Sequence, residues 1–138
     1  MPLIVLDTNV IVSASINSAG PPAKIITDWV LSGMVQTVTS LRVVSEYREV
    51  IRRAKFLRYK FPPLWLEDLI EESIRLPDSD LWPFPCPDPK DTPFLALAHA
   101  AGAWLVTGNL KHFPETVRNG VNALSPADYL AHLTGPAS

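Results

Sequence analysis

Cysteine is almost absent from this 138-residue chain, which contains only Cys86. One cysteine cannot form an intrachain disulfide, and a zinc site built from several thiolates is excluded for the same reason. This cysteine usage fits a cytosolic protein, and we assign no role to Cys86 itself. Charged residues are also few, at 19%, while hydrophobic residues reach 47%. The composition is that of a globular protein, and the length predicts a single domain over 1–138.

A long apolar run and a large net charge are missing as well. The apolar start, Leu3–Leu6, is followed at once by Asp7 and has no basic flank, so it is neither a signal peptide nor a membrane span. The net charge of -2 gives no overall attraction to nucleic acid. A nucleic-acid site would have to come from local clustering of basic residues or from a bound cation.

The sequence does contain short apolar strands that alternate with helices. Strands are predicted over 3–6, 35–38, 103–107 and 121–124, and helices over 8–16, 21–33, 40–54, 62–77, 91–102 and 125–133. Thr8 or Asn9 is the expected cap of the first helix. Five prolines in the stretch from Trp82 to Pro93, counting Pro93 itself, predict a stiff connector before the fifth helix. This alternation predicts an α/β class with a central, mainly parallel sheet.

Polar residues follow two of the predicted strands directly. Asp7 follows the first strand, and Thr107-Gly108-Asn109 follows the strand that ends at Val106. In open parallel sheets the functional crevice lies beyond the carboxyl ends of the strands, so both positions are candidates. Each is also a common position for a helix cap, and position alone does not separate the two roles.

Glu46 lies within a helix, on the border of its apolar face. A carboxylate there can face a cleft, but partial desolvation disfavours it unless a cation or hydrogen bonds offset the cost. The alternative is an ion pair with Arg42 or Arg53. A further acid, Asp91, opens the fifth helix, with Asp88 just before it.

We expect Asp7, Glu46 and Asp91 to meet at one end of the sheet. Such carboxylates repel one another at neutral pH unless a divalent cation neutralises them. Oxygen ligands without cysteine or paired histidines select Mg²⁺ or Mn²⁺ over zinc or iron. The chemistry that such a site favours is phosphodiester hydrolysis, since the cation activates water and stabilises charge on the phosphate oxygens.

Four short motifs occur in a fixed order along the chain: Leu6-Asp7-Thr8-Asn9-Val10, Ser45-Glu46, Asp88-Pro89-Lys90-Asp91 and Val106-Thr107-Gly108-Asn109. Together they resemble the signature of PIN domains, and more narrowly that of bacterial PIN proteins that are toxin components of toxin-antitoxin systems. The resemblance implies a three-layer α/β/α fold and an endoribonuclease that uses Mg²⁺ or Mn²⁺. It also implies an RNA substrate, a cognate antitoxin and a homodimer.

The resemblance carries over residue by residue. Asp7, Glu46 and Asp91 match the catalytic, metal-binding acids, and Thr107 matches a hydroxyl near the metal. Asn9 and Asp88 are the other supporting candidates. Asn109 departs from the pattern, because many PIN domains have an acid there, and a second metal is therefore in doubt.

Asn109 remains a catalytic candidate, because its carbonyl oxygen can ligate a metal or orient a metal-bound water. Asp88 could supply the missing charge. The alternative function is a catalytically impaired PIN-like scaffold that binds RNA or an antitoxin without cleavage.

Substrate contacts are harder to assign. Seven of the twelve Lys and Arg residues lie between Arg42 and Lys60, interleaved with aromatic residues, and Arg42, Arg52 and Arg53 are the RNA-binding candidates. The alternatives are a solvated helix face and a docking site for an acidic partner.

Two further possibilities remain. His112, which follows the Thr-Gly-Asn turn, could reach the crevice, although a lone histidine is more often a surface or core residue. A phosphoacceptor domain of the response-regulator type also places acids at strand ends. It needs an acidic pair at the first strand and a lysine after a later one, and neither is evident.

Overall fold

The computed structural model describes residues 2–53, 63–78 and 82–135. The strands of this described part are β1 Leu3–Leu6, β2 Gln36–Thr39, β3 Ile74–Arg75, β4 Trp104–Val106 and β5 Ala123–Leu124. They form one sheet in the order β3-β2-β1-β4-β5, and each neighbouring pair is parallel. The predicted α/β class with a mainly parallel sheet is confirmed.

The α-helices of the described residues are α1 Thr8–Ile16, α2 Pro21–Lys24, α3 Leu41–Ile51, α4 Trp65–Glu72, α5 Thr92–Ala101 and α6 Pro126–Thr134. A π-helical segment, Ile25–Val30, continues α2. One 3-10 turn, Pro89–Asp91, leads into α5, and another, Leu110–His112, follows β4. Among the helices of the described residues, none combines the length and the hydropathy that a membrane-spanning helix needs.

The central strand β1 is buried on both of its faces. Ile4 and Val5 are both fully buried, and successive side chains of a strand point to opposite faces. Helices must therefore cover the sheet on both sides, which is the three-layer α/β/α arrangement. On one side, the buried hydroxyl of Tyr47 in α3 donates a hydrogen bond to the backbone carbonyl of Leu6. This bond fixes α3, and hence Glu46, against the carboxyl end of β1.

Two local predictions were wrong. The cap of α1 is not Thr8 or Asn9 but Asp7, the residue for which a cap was the alternative role, because the Asp7 carboxylate accepts a 2.7 Å hydrogen bond from the backbone amide of Thr8. Helix α4 ends at Glu72 rather than near residue 77. The chain instead turns at Ser73 into β3, which pairs with the outer side of β2. The predicted end of the third helix, Ala54, lies outside the described residues.

The sheet order also bears on the response-regulator alternative. Phosphoacceptor domains of that type have the strand order 2-1-3-4-5, whereas the order here is 3-2-1-4-5. The sheet formed by the described residues therefore does not have that topology.

Candidate metal centre

Asp7 lies where the central strand β1 gives way to α1. Its backbone amide donates to the carbonyl of Val106 in the neighbouring strand at 2.9 Å, which extends the sheet by one bond. Its carboxylate caps α1, and the residue as a whole is only 6% exposed. The two roles foreseen for this position, helix cap and cleft residue, are therefore combined in one side chain.

The second carboxylate oxygen of Asp7, Oδ2, also has donors. The hydroxyl of Thr107 donates to it at 2.7 Å, and the side-chain amide of Asn9 donates at 3.2 Å. Burial nevertheless raises the pKa of Asp7 to about 6, and the nearby charge of Asp91 adds to the rise. The hydrogen bond from Thr107 opposes it. Asp7 is thus a carboxylate whose ionised form a nearby cation would stabilise strongly.

Glu46 projects from α3 towards the start of α1. The hydroxyl of Thr8 donates a hydrogen bond to its Oε2 atom. Burial raises the pKa of Glu46, and the negative charge of Asp7 contributes in the same direction. The positive charge of Arg53 lowers this pKa, but less than burial and Asp7 raise it. Glu46 therefore shares the electrostatic environment of Asp7.

Asp91 ends the 3-10 turn Pro89–Asp91. Asp88 caps that turn by accepting a 3.0 Å hydrogen bond from the backbone amide of Lys90. The side chain of Asp91 is 13% exposed, and its Oδ2 lies 3.0 Å from Nδ1 of His112. Burial raises the pKa of Asp91, and His112 opposes the rise.

The turn after β4 is organised by hydrogen bonds from both sides. The Oγ1 atom of the fully buried Thr107 accepts from the backbone amide of Asn109 at 3.0 Å, and the side-chain nitrogen of Asn109 lies 3.0 Å from Nε2 of His112. On the α1 side, Asn9 accepts a 2.9 Å hydrogen bond from the amide of Gly108. A Cβ at Gly108 would lie 3.3 Å from the same Asn9 oxygen, so the close approach favours glycine there.

Asp7, Glu46 and Asp91 all line one open cleft of about 450 Å³ beyond the carboxyl ends of β1 and β4. The cleft thus brings together three acidic side chains that are far apart in the sequence, as predicted. The remaining polar residues around this cleft include Asn9, Arg53, Asp88, Lys90, Asn109 and His112.

The three RNA-binding candidates have different positions. Arg53 lines the cleft itself. Arg42 lines an adjoining groove of about 430 Å³ that also contains Glu46 and Lys90. Arg52 ends α3 as its C-cap and is exposed. The rest of the basic segment, from Lys55 to Lys60, lies outside the described residues.

His112 is the cleft residue that sequence reasoning left secondary. One of its ring nitrogens and one carboxylate oxygen from each of Asp88 and Asp91 lie within 4.8 Å of one another. Among the described residues this is the group of three potential ligands close enough to share one metal ion, and it does not include Asp7 or Glu46. The signal for it was its place three residues after Asn109, within the turn that follows β4.

The donor set of the cleft fits a divalent cation. Carboxylate oxygens dominate it, and each of Asp7, Glu46 and Asp91 has its pKa raised chiefly by burial. Mutually repelling carboxylates, of which Asp7 is buried and Glu46 and Asp91 are half-buried, are the ligands that hard cations such as Mg²⁺ and Mn²⁺ prefer.

A family model described as PIN domain matches residues 3–111. The chain therefore belongs to the PIN domain family, and the PIN-domain prediction is confirmed.

Solved structures give the same fold. VapBC2 from Rickettsia felis, bound to a DNA fragment from its promoter, is similar over 89% of this chain and 98% of that chain, with a TM-score of 0.58 and 16% identity. FitAB bound to an IR36 DNA fragment is similar over 89% and 94%, with a TM-score of 0.55 and 18% identity. A comparison with curated proteins gave no match.

Proposed function

We propose that this protein is a metal-dependent endoribonuclease that hydrolyses RNA phosphodiester bonds with Mg²⁺ or Mn²⁺. The observation that carries the proposal is the convergence of Asp7, Glu46 and Asp91 on one cleft. These three residues would hold the cation, with Asn109 and Asp88 beside them. A bound divalent cation would activate water and stabilise negative charge on the phosphate.

The chain's own residues would orient this site. Thr107 and Asn9 fix the carboxylate of Asp7, while Thr8 fixes that of Glu46. Arg53 adds positive charge at the rim of the cleft, where the phosphate backbone of RNA would lie. Arg42 would extend this contact along the adjoining groove.

We further propose that the enzyme is the toxin of a toxin-antitoxin pair, with a cognate antitoxin as its protein partner. The support is the motif resemblance to such toxins, together with the fold shared with VapBC2 and FitAB. The proposal includes a homodimer. A cytoplasmic location follows from the proposed RNA substrate and antitoxin.

The competing hypothesis is a PIN-like scaffold that binds RNA or an antitoxin without cutting RNA. The neutral Asn109 favours it, because an amide adds no negative charge to the acid cluster. Under this hypothesis the protein would bind RNA in the presence of Mn²⁺ and leave it intact.

The deciding experiment is incubation of purified protein with end-labelled single-stranded RNA in Mn²⁺, in Mg²⁺ and in EDTA, beside the Asp91→Asn variant. We expect fragments with at least one of the two metals, and none in EDTA or with the variant. RNA that is bound but uncut by the wild-type protein would favour the scaffold instead.

A further inference from the structure

We propose that His112 is a positioning residue, which holds the carboxylate of Asp91 in place while Asn109 fixes the tautomer of the His112 ring. The inference rests on the proposed function, because Asp91 is one of the three proposed metal ligands. It gives Asn109 a role that does not require it to contact the metal.

The tautomer follows from the chemistry of the donors. The side-chain nitrogen of Asn109 can only donate, and it lies 3.0 Å from Nε2 of His112. Nε2 must therefore accept, so the proton of the neutral ring lies on Nδ1. Nδ1 is 3.0 Å from Oδ2 of Asp91, an atom that accepts. Both contacts are satisfied together by this tautomer of the neutral ring.

The two contacts belong to a longer chain of hydrogen bonds. The backbone amide of Asn109 donates to Thr107, whose hydroxyl donates to Asp7. Asp91 and Asp7 are thereby joined across the cleft through Thr107, Asn109 and His112. Partners of this kind orient metal-binding carboxylates and tune their affinity for the metal.

Asn109 suits this arrangement better than an acid would. An ionised aspartate only accepts hydrogen bonds, so it would require a proton on Nε2 of His112. The same ring could then donate a hydrogen bond from Nδ1 to Asp91 only if both ring nitrogens carried protons. With an amide at position 109, a ring that carries a single proton can make both contacts and still donate to Asp91.

The tautomer is tested first in metal-free protein. We would record ¹⁵N spectra of the histidine rings at about pH 8, where a free imidazole is neutral. We expect His112 to carry its proton on Nδ1, and Asn109→Ala to give a mixture of tautomers. A proton on Nε2 in the wild-type protein, or an unchanged spectrum in the variant, would overturn the inference.

The effect on metal binding is tested by Mn²⁺ titration. We expect His112→Ala to weaken Mn²⁺ binding by about 10- to 100-fold. His112→Asn, whose amide can replace Nδ1–H as a donor, should restore most of the loss. Lys111→Ala, in the same turn, is the control and should bind as the wild type does. Equal affinity of wild type and His112→Ala, or no rescue by asparagine, would refute the positioning role.

Direct ligation is a separate outcome, because His112 lies near Asp88 and Asp91. Electron spin echo spectra of the Mn²⁺-loaded protein would then show coupling to an imidazole nitrogen, and this result would overturn our inference. A wild-type protein that binds no Mn²⁺ would instead contradict the proposed function, while the ring spectra would still decide the tautomer.

Discussion

Thr107 and Asp7 lie one hundred residues apart in the chain, and the hydroxyl of Thr107 donates a 2.7 Å hydrogen bond to the Asp7 carboxylate. The two residues follow β4 and β1, whose last residues, Val106 and Leu6, are partners in the sheet. Thr107 is fully buried, so water does not compete for the bond. The parallel pairing of two strands thereby sets the orientation of the most buried acid in the cleft.

Replacing Thr107 by valine keeps the shape of the side chain and removes the donor. Because a hydrogen bond to a charged group contributes about 1.5–3 kcal/mol, we expect the free energy of unfolding at neutral pH to fall by about that amount. Mn²⁺ binding should weaken by about tenfold, since Asp7 loses an orienting partner. Thr107→Ser retains the hydroxyl and is the control. Wild-type Mn²⁺ affinity in the valine variant would contradict this account.

The metal-free protein should lose stability as the pH rises from acidic to neutral values. The pKa of Asp7 is about 6 in the folded chain against an ordinary value of 3.8, so the folded state binds the extra proton over this range. A pKa shift of this size corresponds to about 3 kcal/mol of the free energy of unfolding, which is lost as the pH rises through the two pKa values. The pKa values of Glu46 and Asp91 are raised as well, so these two acids also make the folded state less stable as the pH rises.

The measurement is urea unfolding in EDTA at about pH 4 and about pH 7.5, with Asp7→Asn for comparison. The wild type should be more stable at the lower pH, and the variant should show a smaller difference between the two. A wild type that gains stability towards neutral pH, or an Asp7→Asn variant with the full wild-type difference, would be inconsistent with this explanation.

Two neighbouring arginines provide a matched test of RNA contact. Arg53 lines the cleft, whereas Arg52 does not line it. In an inactive Asp91→Asn background, Arg53→Gln should weaken binding of single-stranded RNA. The slope of the logarithm of the binding constant against the logarithm of the salt concentration should become less steep by about 0.7, which corresponds to one lost phosphate contact. Arg52→Gln should change neither quantity. Equal effects of the two substitutions would argue against a specific role for Arg53.

The parts of the fold that local patterns encode were predictable from the sequence. The apolar run Leu3–Leu6, which stops just before Asp7, predicts β1, because a central parallel strand needs apolar side chains on both faces. The position of Glu46 on the border of an apolar helix face left two alternatives, a cleft or an ion pair with Arg42 or Arg53, and in the structure Glu46 lines the cleft. These inferences need only neighbouring residues and the period of a helix or strand.

The parts that depend on distant partners were not predictable. Strand β3 has two residues, Ile74 and Arg75, both exposed, and it exists because the edge of β2 offers hydrogen bonds to pair with. The place of His112 beside Asp91 depends on how the turn after β4 folds back over the start of α5. A single histidine in a polar turn carries no local signal of such a contact.

The most direct test of the central claim, that three acids form one cation site, is calorimetric titration of Mn²⁺ into wild type, Asp7→Asn, Glu46→Gln and Asp91→Asn. Glu71→Gln is the control, because Glu71 is exposed on α4 and does not line the cleft. We predict binding to the wild type and the control, and binding weakened by at least about tenfold in each of the other three. Unchanged Mn²⁺ binding in any one of those three would contradict the claim.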